Sequence, residues 1–116
     1  MKYTAVIAIM DGQPDSMGDV LHNNVKMPEG AINVRNEFQG PKIGLAHCKI
    51  EGDNVLAEIE IDSSILPPEL LETMCGVVGG YTTKRTGNLI EEWKLIDVGL
   101  TKNPCDKRLP KLKRKE

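Results

Sequence analysis

The stretch from Gly40 to Asp62, GPKIGLAHCKIEGDNVLAEIEID, constrains the fold more than any other part of the chain. Two extended runs, KIGLAHCKIE and NVLAEIEID, flank EGDN, whose Gly-Asp pair suits a tight hairpin turn. In the second run Val55, Ala57, Ile59 and Ile61 alternate with Leu56, Glu58, Glu60 and Asp62. A period of two places one face of that strand in a core and leaves the other largely charged and wet.

The flanking segments read as more of the same. YTAVIAIMDG (3–12) is apolar and β-branched and stops at Asp-Gly, a strand followed by a turn. Residues 13–30 are turn-rich, with Pro14, Gly18, Pro28 and Gly30 as breakers and one short extended piece at DVLH. AINVRNEF (31–38) fits a strand or a helical turn. After SSIL, Pro67 and Pro68 suit a helix start, where a missing N–H costs nothing, and ELLETMC continues as a short helix that Gly76 ends. VVGGYTTKR is a strand, TGNL a turn, and LIEEWKLIDVGLTKN a strand or pair of strands stopped by Pro104. The expected architecture is mainly β, α+β at most: a small β-barrel or folded sheet with one short helix in a long connection.

A chain of 116 residues is one domain with one core. Only 3% of it is aromatic (Tyr3, Phe38, Tyr81 and Trp93), so the core is expected to be Val, Ile, Leu and Met, with Trp93 as a packing anchor. Cys48, Cys75 and Cys105 form no CxxC pair, which argues against a zinc ribbon and for reduced, mostly buried thiols. The opening apolar run is too short and too quickly broken for a signal peptide or membrane span. Net charge is −2, but residues 107–116 hold six basic side chains against one acid. That segment therefore carries +5 and residues 1–106 carry −7. The sequence divides into a β domain, 1–106, and a basic C-terminal tail, 107–116, suited to an anionic surface or to a solvated, mobile end.

Four stretches, in order, carry a resemblance. They are DSMGDVLHNNV (15–25), NEFQGPKIGLAHCKIEGDNVLAEIEID (36–62), GVVGGYTTKR (76–85) and EEWKLIDVGLTKNPCD (91–106). The chain resembles the prohead (capsid maturation) proteases of tailed phages, which share a β-barrel fold with the herpesvirus assembly proteases. These stretches are similar to that family's Asp-x-x-Gly-Asp loop, its His-Asp-x-x-x-Pro-Ile-Gly segment with the following hairpin, its Ser-Ile-Gly-Tyr nucleophile strand and its closing strand. Carried over residue by residue, the family's histidine falls at Asn36, its serine at Val78 (or, shifted by one, at Gly79) and its closing-strand acid at Asp97. The resemblance thus implies the fold without the serine–histidine pair. An acid has nothing to orient once both are gone.

Relocated chemistry finds little support in the residues. The available nucleophiles are Ser16, Ser63, Ser64, Thr82, Thr83 and the three cysteines, and the only bases of the right kind are His22 and His47. Adjacent on a strand, His47 and Cys48 point to opposite faces and form no dyad, whereas His47 and Cys75 are a pair that the fold could bring together. Asp11, Asp15 and Asp19 lack the glycine and the terminal glutamate of a calcium loop and suit Asx turns better. GVVGG has no Walker lysine and opens no helix. Glu91 and Glu92 are neighbours on a strand and form no carboxylate pair. No metal and no cofactor is expected, and no enzymatic activity.

The expectation is a virion protein, an auxiliary or decoration (cement) subunit on the capsid shell. It would contact the major capsid protein and neighbouring subunits through loops 12–30 and 63–75, with Ile65, Leu66 and Leu70 as apolar anchors and Lys111, Lys113, Arg114 and Lys115 as basic contacts. A homotrimer is the natural form for such a subunit, nucleic acid is reached only through the tail, and no membrane is involved. Three other readings are an active prohead protease with its nucleophile at Ser63, Ser64 or Cys75, a nucleic-acid or packaging-associated module using the basic tail, and a small housekeeping β-barrel unrelated to capsids.

Overall fold

The alternation along residues 54–61 becomes the centre of the sheet. In the computed structural model, which describes residues 1–37, 40–62 and 64–115, Val55, Ala57, Ile59 and Ile61 are at most 1% exposed. They lie on β6 (Asn54–Ile61), joined to β5 (Lys42–Glu51) by the two-residue turn Gly52-Asp53. Gly52 has φ +60° and Asp53 is not left-handed, the pattern of a type II′ turn, whose twist matches the flanking strands. On the far side of β6 runs β1 (Lys2–Ile9), antiparallel and with one extra residue, Ile7, between the Val6 and Ala8 pairings. That bulge turns Ile7 and Ala8 both inward, at 1% and 3% exposure.

The second hairpin is longer. β7 (Cys75–Thr86) and β8 (Leu89–Thr101) meet at Gly87-Asn88, with Gly87 at φ +58°. β7 covers one edge of β8 from end to end. The other edge is shared by three short parallel partners, β2 (Val20–Leu21), β3 (Val25–Lys26) and β4 (Ile32–Asn36), and β4 also pairs with β5. One continuous, folded sheet results, mainly β with a single short helix. Residues 31–38 contribute a strand where a helical turn was the other option, and β3 is a strand that the turn-rich composition concealed. Phe38 lies outside the described residues.

The core is aliphatic as expected, apart from two aromatics. Tyr3, Ile7, Val34, Val55, Ile59, Ile61, Leu71, Leu95, Val98 and Leu100 are its largest fully buried side chains. Trp93 is 3% exposed and its indole N–H donates to the His22 carbonyl at 3.0 Å, so it anchors the loop before β3 to β8.

The helix is shorter than its sequence suggested. α1 spans Pro68–Leu71 behind an N-cap at Pro67, and Cys75 already belongs to β7. Gly76 therefore does not end a helix. It is buried in β7, where a Cβ would stand 2.9 Å from Cγ2 of Ile7. Pairing with β8 outweighs the local helical pattern of ETMC, a tertiary override of a weak propensity.

Residues 107–116, set apart in the sequence as a tail, are tied to the domain over their described length. Leu109 and Leu112 are buried at 8% and 5% exposure, and the Leu112 N–H donates to the Met74 carbonyl at 2.8 Å. Lys111 forms an isolated bridge with Cys75, and β9 (Lys113–Lys115) pairs antiparallel with Lys2–Thr4 of β1. The C-terminal segment is thus a strap between the start of β7 and β1. A single bridge is not a ladder, so the sheet stays open on that side. Burial of two leucines explains why so basic a segment does not float free.

Candidate functional site

The positions drawn from the sequence converge on β8. Val78 pairs with Val98, Gly79 with Asp97, and Asn36 with Leu100, on strands β7, β8 and β4 that lie side by side. Val78 and Asp97 line one open depression together with Arg35, Glu37, Gly79, Gly80, Ile96 and Gly99. Asn36 is not among those lining residues. It alternates with Arg35 and Glu37 along the chain and is half-buried, so the position matched to the family's histidine does not face the acid.

What faces the acid is arginine. Nε of Arg35 donates to Oδ2 of Asp97 at 3.2 Å, and its Nη1 donates to the Gly40 carbonyl at 3.2 Å. Both side chains are about one-third exposed (35% and 29%), so the pair is half solvated and orders the site more than it stabilises the fold. Ile96 is the extra residue of a bulge on β8, between the pairings Gly79↔Asp97 and Gly80↔Leu95, and is left 49% exposed. The bulge switches the buried face of β8 from Trp93 and Leu95 to Val98 and Leu100, and it delivers Asp97 to the rim.

Two glycines are explained by what crosses them. A Cβ on Gly79 would collide with the Asp97 carboxylate, and one on Gly80 would stand 3.2 Å from Cε3 of Trp93. The two glycines admit close packing and lie at the register shift opposite Ile96. The depression holds an ion pair, a second carboxylate and backbone. Among the described residues no serine or cysteine side chain lines it.

The other nucleophiles and bases are dispersed. Cys75 is buried, its thiol donating to the Leu109 carbonyl at 3.6 Å, and burial pushes its pKa up. His47 is exposed on β5 opposite Glu58, in a groove with Lys2, Leu45 and Lys115, so the structure gives Cys75 a carbonyl partner rather than that histidine. Cys48 is half-buried, and burial pushes its thiol up to about 11. Contrary to the expectation of mostly buried thiols, Cys105 is exposed. The Ser64 hydroxyl donates to Asp62 at 2.7 Å, and the Ser16 hydroxyl donates to the Cys105 carbonyl. Thr82 and Thr83 are exposed on the β7–β8 hairpin, and Ser63 lies outside the described residues.

The three aspartates of the 11–19 loop have separate structural tasks. Oδ1 of Asp15 accepts from the N–H groups of Met17 and Asp19, an Asx arrangement. Asp19 pairs with Arg85 at 2.6 Å, and Asp11 pairs with Arg108 at 2.7 Å. Arg108 also chelates Asp106, and the shared guanidinium holds both carboxyls below the usual range. Among the described residues no three His, Cys, Asp or Glu side chains gather as a metal site.

Of the apolar anchors, Ile65 is 49% exposed, whereas Leu66 and Leu70 are half-buried and pack on the core. Lys111, Lys113, Arg114 and Lys115 are all exposed, with Lys115 paired to Glu58 at 2.7 Å. Among the described residues no helix is long and apolar enough to cross a membrane. Sequence reasoning missed Arg35 and Arg108, whose partners are 62 and 97 residues away. The only available signal for the former was a basic residue next to Asn36.

Compared with known protein families, with curated proteins and with solved structures, the chain has no match.

Proposed function

We propose that this protein is a structural component of a tailed-phage virion, an auxiliary or decoration subunit that binds the capsid shell on a prohead-protease-like fold without catalytic residues. The observation that carries the reading is the meeting of Val78 and Asp97. The sequence resemblance assigns them to nucleophile and acid from segments that are distant in the chain. In the sheet they lie one pairing apart on adjacent strands and border one depression. A fold that gathers these positions, with valine for the nucleophile and arginine on the acid, supports descent from an enzyme and a present role in binding.

Such a subunit works by bridging neighbours. Modest contacts repeated by symmetry add up to high avidity. Ile65 on the connection after β6 and Met17, 74% exposed at the tip of the 11–19 loop, are apolar side chains available for such contacts.

The test mixes purified protein with shells lacking it, pellets the shells and weighs both components by mass spectrometry. Saturable co-pelleting with every mass unchanged is the expected result. Cleaved capsid or scaffold chains would overturn the reading in favour of an active protease, and no co-pelleting would remove the capsid role.

A further inference from the structure

We propose that the outer face formed by β5, β6, β1 and β9 docks the phosphate backbone of duplex nucleic acid through Lys2, Lys49, Lys111, Lys113 and Lys115. Along the strap these lysines alternate with Leu112, which is buried, and Arg114, which pairs opposite the buried Tyr3. In an extended chain, alternate residues share a face, so Lys111, Lys113 and Lys115 turn together to solvent. Lys2 lies directly across from Lys115. Lys49 lines an open groove of about 420 Å³ with Lys111 and Lys113, over Thr4, Val6 and Leu56.

The face also carries acids. Glu58 is taken up by Lys115 at 2.7 Å, Lys49 reaches Glu51 only at 3.9 Å, and Glu60 lines the neighbouring groove. Five lysines against these three carboxylates leave a positive surface on a protein of net charge −2. Lysines on an edge strand also deter edge-to-edge aggregation, which accounts for β9. It does not account for Lys2, which is paired on both sides, with Glu60 of β6 and with Lys115 of β9. Nor does it account for the facing pair Lys2 and Lys115, because like charges opposed across a ladder destabilise it. Glu58 and Glu60 answer part of that charge, and an anion laid over the pair answers the rest.

The chemistry favours phosphate. The cations on this face are lysines, which act as point charges on phosphate, whereas recognition of carboxylates favours the arginine fork. Lys111 to Lys115 spans about 13.6 Å, four rises of about 3.4 Å, which is also the axial rise per phosphate along one duplex strand. Among the described residues the grooves offer no exposed aromatic ring, their one aromatic lining residue being the buried Tyr3, so unpaired bases find no stacking platform. The binding is therefore to the backbone of a duplex and independent of sequence. It stands apart from the capsid reading, since it requires no shell.

The experiment follows the anisotropy of a labelled mixed-sequence DNA duplex of about 20 base pairs as salt rises from about 20 to 200 mM. The expected log–log slope is about −3, from three or four phosphates at about 0.9 each. Replacing Lys111→Gln and Lys113→Gln together should reduce the slope by about two at an unchanged melting temperature, while Lys84→Gln on the β7–β8 hairpin should leave it as it was. No binding at the lowest salt, or an unaltered slope in the double variant, overturns the proposal. So does displacement of the duplex by an equal charge concentration of polyglutamate, which would assign the face to an acidic protein.

Discussion

The carboxylate of Asp97 lies across the Cα of Gly79, in the space a Cβ would need, and from there it accepts a hydrogen bond from Nε of Arg35 at 3.2 Å. Gly79→Ala must therefore displace the carboxylate and break the pair. The expected cost is about 1–2 kcal/mol, seen as a lower denaturant midpoint. In an Asp97→Ala background most of that cost should vanish, because the obstacle has gone. Gly30→Ala, where a Cβ would meet nothing within 4 Å, is the control and should be neutral or slightly stabilising. Additive losses at Gly79 and Asp97 would show that the glycine serves something other than the carboxylate.

Much of this fold is legible because its strongest signals are local. A run that alternates every second residue, next to a Gly-Asp turn, fixes β5, β6 and their register without reference to the rest of the chain. The site is less so. Arg35 meets Asp97 only because β4 pairs in parallel with β8, and no neighbouring residue announces a contact 62 positions away. The strap was hidden by composition. Leu109 and Leu112 are two apolar residues in a run of lysine and arginine, and their burial depends on a gap between β7 and β1 that only the assembled sheet provides. Ile96 and Ile7 mislead a strict alternation for the same reason, as each is the extra residue of a bulge.

Thiol chemistry should separate the cysteines. Cys105 is exposed, while burial raises the pKa of Cys75 and raises Cys48 to about 11. At pH 8 a thiol with that pKa is thiolate in about one molecule per thousand. A chromogenic disulfide reagent should titrate one fast thiol per chain, lost in Cys105→Ser, with the other two appearing only on unfolding. A fast-reacting Cys75 would contradict its burial and reopen the question of a dyad.

The strap should loosen in acid. The guanidinium of Arg108 holds Asp11 and Asp106 below the usual carboxylate range, and the Lys115 ammonium does the same for Glu58. A lowered folded pKa means that the stabilisation is fully present above the unfolded values, about 3.9 for Asp and 4.3 for Glu, and is lost as pH falls through the folded ones. Amide protection at Leu112, whose N–H is bonded to Met74, should therefore decline below about pH 4 before protection at Ile59 on β6 does. Added salt should shift the same balance at neutral pH, since these pairs lie near the surface. Loss of both protections together would mean that the strap has no separate opening.

Whether residues 107–116 are a tail or part of the fold is settled by one leucine. Leu112 is 5% exposed, belongs to the main core cluster and holds the strap to Met74, three positions before Lys115 pairs with Glu58. Leu112→Ala removes three buried carbons and leaves a gap between β7 and β1 that a rigid sheet closes poorly. The expected loss is about 2–4 kcal/mol, read from a denaturant midpoint at unchanged slope. Lys113→Ala, one residue along on the solvent side, should fall within about 0.5 kcal/mol of the parent. If the leucine proves as indifferent as the lysine, the segment contributes no packing, and the basic face proposed for nucleic acid would sit on a free arm.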